Sequence, residues 1–379
     1  MSPKTDKPNP IPIAFQQQMI DTWGLEAWKK LEMALQTQSP TSIRLHPQKS
    51  KYFKTEGLPI PWCPWGKYLE KRPVFTLDPV FHAGGYYVQE AASMFLWYIL
   101  EQLFPHNRDI NVLDLCAAPG GKSTLIASFL QNNGMLVTNE VIKNRAYILK
   151  SNIEKTGYKN VIVTQSDPKD FEKLEGFFDL ILVDAPCSGE GMWRKDSQAI
   201  NEWSEDHVQL CSSRQKRIVS DITPCLKEDG YLIYSTCTYN DAENLDNVAW
   251  ANQNMSLQNI TLPPTKDFHL VEVEKNGVVG YQFSPHTHDS EGLFYAILQK
   301  KEKPAKANIK LKNQFEKLPA KWTNVLRPYV QIDEHDLYFL DPNNDIHLFP
   351  SRLWESLNVL YNSTRIIYAG INLGQWVKN

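Results

Sequence analysis

Between residues 111 and 299 short apolar runs alternate with stretches of helical periodicity, and this alternation limits the possible folds more than any other feature of the chain. The runs NVLDL (111–115), MLVTNE (135–140), VIVTQ (161–165), DLILVDA (179–185), YLIYSTC (231–237) and LFYAILQ (293–299) read as strands, being short and rich in β-branched and aromatic residues. Helices are expected between them, at 121–131, 143–156, 205–226 and 242–253. Strands apolar on both faces pair in parallel and are covered on both sides, because parallel neighbours need a helical crossover. The expected fold class is therefore α/β, a Rossmann-like sheet whose ligands collect at the carboxyl ends of its strands.

A chain of 379 residues exceeds what one core usually organises, so further domains are expected on either side. An amphipathic helix is expected over 14–37, a short strand at 42–45, a loop-rich stretch at 58–85 and a helix at 88–103. Trp62 and Trp65, around Cys63, suit either packing between domains or a base-stacking surface. Residues 322–379 read as a small, mostly β module. The expected division is a small α+β subdomain at 1–105, the α/β domain at 106–300, a basic linker at 301–321 and the β module at 322–379.

The net charge of −3 hides an uneven distribution: +2 over 1–105, −8 over 106–300 and +3 over 301–379. Eight lysines from Lys300 to Lys321 suit a solvated linker. Six cysteines form no C-x-x-C pair, so no zinc ribbon is supported and no metal is expected. No apolar leader or membrane-length run occurs, so a reducing, cytoplasmic setting with free thiols and no membrane partner is expected.

The polar clusters lie at strand ends. LDLCAAPGGKST (113–124) passes from strand through a small-residue turn into a helix, exposing backbone N–H groups to a ligand. A phosphate loop would need glycine where Cys116 stands, so Gly121, Lys122 and Ser123 match only its end; a turn for S-adenosylmethionine is the alternative. Glu140 ends the next strand, where a carboxylate can accept both ribose hydroxyls of an adenosine. Asp167 suits either an adenine amino group or a plain turn before Pro168. Asp184 and Cys187 leave one strand end in DAPCSGEGMWRKD, and Cys237 leaves another in YSTCTYNDAEN. Two thiols beside a methyl donor point to a definite reaction. Carbon 5 of a pyrimidine is a poor nucleophile until a thiolate adds to carbon 6, and a second thiol or a base can assist release. The base must be single-stranded or flipped.

The segments CAAPGGK, TNE, DAPCSGEGMWRKD and STCTYNDAEN, with the flanking GGYYVQEAASM and SPHTHDSEGLFYAILQK, resemble the motifs of the NOL1/NOP2/Sun RNA cytosine-5 methyltransferases over roughly residues 40–300. Within that family the chain is most similar to bacterial 16S ribosomal RNA enzymes carrying an extra C-terminal module. The resemblance implies a class I S-adenosylmethionine methyltransferase sheet, with Cys237 as nucleophile, Cys187 promoting release and Asp184 contacting the cytosine near the cofactor. It assigns Cys116, Ala117, Ala118, Pro119, Gly120, Gly121, Lys122, Glu140 and Asp167 to S-adenosylmethionine. It also implies an N-terminal RNA-contacting subdomain containing PTSIRLHPQKS and a PUA-like RNA-binding C-terminal module; members of this group usually continue past GINLGQWVKN, where this chain stops. The implied partner is RNA, with ribosomal RNA or the small ribosomal subunit foremost and transfer RNA the alternative. No DNA partner is expected, and a monomer is the default. Outside this class stand a P-loop-like nucleotide-binding protein, which explains only GGKST, and a non-catalytic RNA-binding protein, which gives no reason for two strand-end cysteines. RNA is expected to be gripped by the basic flanks and by residues such as Arg194 and Lys195.

Overall fold

The computed structural model describes residues 10–196, 198–303, 315–319, 325–326, 330 and 333–375. The N-terminal segment forms α1 (Ile13–Trp23) and α2 (Leu25–Leu35). A four-stranded antiparallel sheet follows, from β1 (Thr41–Leu45), β2 (Leu58–Ile60), β3 (Cys63–Leu69) and β4 (Tyr86–Val88), in the order β2-β3-β1-β4. The single helix expected over 14–37 is broken at Gly24, whose φ of +86° lies outside helical space and suits only glycine. Within 58–85, β2 and β3 replace much of the expected loop; prolines at 59, 61 and 64 mask the strand alternation and are tolerated at an edge and at a strand start. The helix expected from residue 88 begins later, as α3 (Phe95–Leu103), because Glu90 folds back to accept the Ala92 and Ser93 N–H groups at 2.9 Å each.

The central sheet contains β5 (Asn111–Asp114), β6 (Met135–Asn139), β7 (Val161–Thr164), β8 (Phe178–Asp184) and β9 (Leu226–Thr236), all parallel. Antiparallel strands β10 (Leu257–Ile260), β11 (Glu272–Lys275), β12 (Val278–Phe283) and β13 (Leu293–Lys300) complete one side. Helices α4 (Gly121–Leu130), α5 (Lys143–Glu154), α6 (Glu205–Ile222) and α7 (Leu245–Asn254) connect these strands. Helix α6 stops at Ile222, short of the expected 226, because Pro224 cannot continue it. Strand side chains alternate between two cores: Val112, Leu136, Val163 and Leu182 face α3, α4 and α5, whereas Leu113, Val137, Ile162 and Ile181 face α6 and α7. Each fully buried aliphatic side chain contributes about 1.5–3 kcal/mol relative to exposure. The parallel α/β core is thus the fold class expected from the alternation.

C-terminal to the sheet, β14 (Glu316–Lys317), β15 (Asp336–Leu340), β16 (Asp345–Pro350) and β18 (Ile371–Gln375) form a second four-stranded sheet. The segment also holds α8 (Trp354–Tyr361) and β17 (Ile366–Ala369). β17 pairs with β7, so the central sheet runs β11-β12-β13-β9-β8-β5-β6-β7-β17, with β10 also on β13. Leu357 and Leu360 of α8 are fully buried in the same core as Ile162. Ion pairs Lys159–Asp336 at 2.6 Å and Arg352–Asp109 at 2.8 Å add to the junction. Lys300 is not a linker residue: it is buried at the end of β13, donating to the Thr223, Pro224 and Leu226 carbonyls at 3.0–3.2 Å. Lys306, Lys310, Lys312 and Lys321 of the lysine-rich run lie outside the described residues. No helix among the described residues is long and apolar enough to cross a membrane.

Because α8 shares a core with the central sheet, Leu357→Ala is expected to cost about 2–5 kcal/mol. The far-UV dichroism and tryptophan fluorescence melts should shift downward together; a separate early transition, with the main one unmoved, would show an independent C-terminal unit.

Candidate active site

The carboxyl ends of β5 to β9 open on one cleft of about 730 Å³. It lies where β5 has β6 on one side and β8 on the other, the point at which strand order reverses. Asp114, Cys116, Ala117, Ala118, Pro119, Gly121, Lys122, Glu140, Asp167, Asp184, Cys187 and Cys237 all line it. Gly120 does not; it caps α4 in the left-handed region at φ +113°, so its contribution is the shape of the turn.

That turn is fixed from outside. Arg145 donates to the Ala118 carbonyl at 2.8 Å, Asn152 to Pro119 at 2.8 Å, and the Ala117 N–H to Asn139 at 2.8 Å. Buried Asn139 ties three strand ends together, donating to the Leu115 and Ser166 carbonyls at 3.1 and 2.9 Å and accepting from Thr164 at 2.8 Å. Asp114 is fully buried; its Oδ2 accepts from Ser123 at 2.6 Å while Oδ1 has no hydrogen-bond partner among the described residues. Burial pushes the Asp114 carboxyl up to about 7, against the pull of Ser123. Glu140 is buried, accepting from the Ile142 N–H at 2.9 Å with Arg145 at 3.4 Å. Asp167 caps its own turn through the Lys169 N–H at 3.1 Å, so the turn role open to an aspartate before proline is filled, although the side chain still borders the cleft.

On the other side of the cleft the Cys187 and Cys237 sulfurs lie 2.9 Å apart as free thiols. The hydrogen bond to Cys237 and burial together push the Cys187 thiol well above its ordinary range, so it stays protonated. Lys122 Nζ sits 2.8 Å from Asp184, whose other oxygen accepts from Ser235 at 2.7 Å. Burial opposes the Lys122 charge, but Asp184, with Cys237 and Asp114 beyond it, outweighs burial and raises its pKa. The lysine is therefore engaged by a carboxylate.

Sequence reasoning missed Asp114 and Asn139 as site residues, although both stand in the quoted strand-end motifs. It also missed Glu190 and Glu243, buried carboxylates that join the two cysteine loops; their partners on the opposite loop lie 48 to 55 residues away in the chain, and local spacing carries no trace of that connection. Arg194, expected to grip RNA, is instead buried against Glu291 at 2.9 Å, whereas Lys195 does border the cleft. Trp62 is buried among Phe268, Phe283 and His288, with its indole N–H on the Ala91 carbonyl at 2.7 Å, and so offers no stacking surface.

This sheet order with a cleft at its switch point defines the class I methyltransferase fold. A methyltransferase homologue from Pyrococcus horikoshii shares it at a TM-score of 0.63 and 27% identity, over 76% of this chain and 95% of that one. Residues 100–299 match the family described as 16S rRNA methyltransferase RsmB/F, and residues 11–91 match the N-terminal domain of 16S rRNA methyltransferase RsmF. The chain is 38% identical over 246 residues to ribosomal RNA small subunit methyltransferase F of Psychromonas ingrahamii, covering 64% of this chain and 51% of that protein. Its namesake from Vibrio vulnificus is 31% identical over 345 residues, covering 85% and 69%. The chain belongs to the 16S rRNA methyltransferase RsmB/F family, as the motif resemblance implied. It spans about half the length of the first of these relatives.

The raised Asp114 pKa fixes the sign of a pH effect. The folded ligand-free chain holds this proton more tightly than the unfolded chain, so the associated stability is fully present below pH ~4 and is lost as pH rises through about 7. Asp114→Asn should remove that loss and melt higher than the parent at pH 8, by up to about 4 kcal/mol, with little difference near pH 4. Equal melting differences at both pH values would refute the assignment.

Proposed function

We propose that this chain transfers a methyl group from S-adenosylmethionine to carbon 5 of a cytosine in RNA, with 16S ribosomal RNA as the substrate. The carrying observation is the pair of thiols 2.9 Å apart, facing a cleft whose other wall is a small-residue turn and three strand-end acids. The names of the relatives, ribosomal RNA small subunit methyltransferase F, support the choice of RNA.

The residues fit the cofactor. The 116–122 turn lets a ligand approach the backbone, the unpartnered Asp114 Oδ1 offers an acceptor to an ammonium, and Glu140 lies where ribose hydroxyls can be accepted. Bound there, S-adenosylmethionine supplies an electrophilic methyl carbon.

Cys237 adds as thiolate to carbon 6 of a flipped cytosine, and the displaced electron pair makes carbon 5 nucleophilic. Lys122, held charged by Asp184, sits near enough to Cys237 to interact with it electrostatically. Asp184 contacts the cytosine edge, and the charged Lys122 ammonium beside it offsets the negative charge that addition develops. After methyl transfer the carbon 5 proton must leave and the C–S bond must break. Cys187, protonated and beside the leaving sulfur, gives its proton to that sulfur as the C–S bond breaks, and its thiolate takes the carbon 5 proton, so both thiols end protonated. Lys195, Arg214 and Arg217 border the cleft and suit the phosphates flanking the flipped nucleotide.

Labelled methyl transfer to 16S and transfer RNA, with bisulfite mapping of the product, tests the reaction and substrate. Cys187→Ala should accumulate a denaturant-stable protein–RNA adduct, and Cys237→Ala should form none and lose at least ~10³-fold in rate. An adduct in Cys237→Ala but not in Cys187→Ala would exchange the two roles.

A further inference from the structure

The loops that carry the two cysteines are joined by crossed carboxylates, and we infer that Glu190 and Glu243 are positioning residues that set the separation of the two sulfurs for proton transfer between them. The inference rests on the thiol chemistry proposed above.

Glu190 follows Cys187 by three residues, yet its carboxylate is fully buried against the loop that follows Cys237. It accepts from the Tyr239 N–H at 2.7 Å, the Asn240 N–H at 3.1 Å, the Thr238 hydroxyl, the Asn240 amide at 2.9 Å and the Trp203 indole at 2.8 Å. Glu243 makes the reverse connection. It belongs to the Cys237 loop and accepts from the Ser188 N–H, one residue past Cys187, at 3.0 Å, and from Gln215 at 2.8 Å. The Asn240 amide bridges the two, 2.9 Å from Glu190 and 2.8 Å from Glu243. Among the described residues neither carboxylate forms an ion pair; neutral N–H and O–H donors carry the whole load.

Buried carboxylates without a cation are costly unless every lone pair is directed, and hydrogen bonds to a charged acceptor are shorter and stiffer than neutral ones. An apolar pair would fill the same space more cheaply, but it would leave the loops free to slide. Neither carboxylate borders the cleft, so both act through the cysteines rather than on a substrate. Adjacency of the loops does not depend on them: the Gly191 N–H reaches the Cys237 carbonyl at 2.9 Å and the Ala185 N–H reaches Ser235 at 2.8 Å. What the carboxylates add is fine register, which decides whether the Cys187 S–H points at the Cys237 sulfur. Lys122 and Cys211 act electrostatically on Cys237 and are left intact by the variants below. Glu243 also acts on Cys187 through its charge, so Glu243→Gln removes that charge together with the hydrogen bonds, and Glu190→Gln is the cleaner variant.

The test uses the full chain with Glu190→Gln, Glu243→Gln and Trp203→Phe, the last removing one donor to Glu190 without altering either cysteine loop. The first readout needs no RNA: the pH profile of Cys237 alkylation by iodoacetamide, located by peptide mass spectrometry. Glu190→Gln and Glu243→Gln should each displace this profile from that of the parent as the contact between the two sulfurs is lost. Trp203→Phe should displace it by less. The second readout is turnover on RNA: kcat should fall roughly 10- to 100-fold through slower adduct resolution, with KM for RNA and cofactor within about twofold. Midpoints and adduct lifetimes unchanged in variants that melt cooperatively would overturn the inference, as would losses confined to KM. Should Glu190→Gln not fold, Glu243→Gln and Trp203→Phe decide by the same criteria. If the parent chain methylates no RNA, the proposed function falls, while the alkylation profile still decides the positioning role.

Discussion

The register between β8 and β9 governs the chemistry of this molecule. Asp184 pairs across from Ser235, and both strands end within a residue of that pair. Cys187 lies three residues beyond one partner and Cys237 two beyond the other, so parallel pairing delivers two thiols separated by 50 residues of chain to within 2.9 Å. Parallel geometry is essential here, since an antiparallel pair would send the two loops to opposite edges of the sheet. The same pairing bonds Ser235 to Asp184 and thereby sets the carboxylate that holds Lys122. A slip of one residue would turn the cysteines away from the cleft and exchange the two cores of the sheet.

Around that register the protein uses buried polar groups as fasteners. Asn139 closes the strand ends on the side of the small-residue turn, and the crossed carboxylates close them on the thiol side. Arg44 does comparable work for the N-terminal sheet: buried without a carboxylate partner among the described residues, it reaches Gln89 at 2.8 Å and Thr124 at 2.7 Å, docking β1 onto the first turns of α4. Burial lowers its pKa to about 10, which still leaves it charged at neutral pH. Such networks contribute less to net stability than apolar packing does, but they admit few alternative arrangements.

The inward placement of acids also resolves the charge distribution. The −8 carried by residues 106–300 would repel a polyanion if it lay on the surface. Asp114, Glu140, Glu190, Glu243 and Glu291 are all buried, and Glu291 consumes Arg194 rather than facing solvent. Lys195, Arg214 and Arg217 line the cleft, the last 3.9 Å from Asp167. Net charge over a segment is thus a poor guide to what its surface presents, because burial removes charges from view selectively.

The alternation of strands and helices, and with it the parallel sheet and the edge where ligands gather, is legible in the amino-acid order alone. So are the two cysteines, Asp184, Glu140 and the small-residue turn, since each lies within a few residues of a strand end that hydrophobic periodicity already marks. Local signals failed where a residue's role is set by remote partners. Gly24 breaks a pattern that reads as one continuous helix, and prolines mask two edge strands. β17 reads as part of a separate module, yet it completes the edge of the central sheet at β7. Glu190, Glu243 and Arg194 read as ordinary polar residues, and only tertiary packing decided that the first two join the cysteine loops and the third meets Glu291. The physical reason is one of range. Periodicity and turn chemistry act over a few residues and are written locally, whereas the fate of a buried charge depends on donors that only the folded chain brings within hydrogen-bond reach.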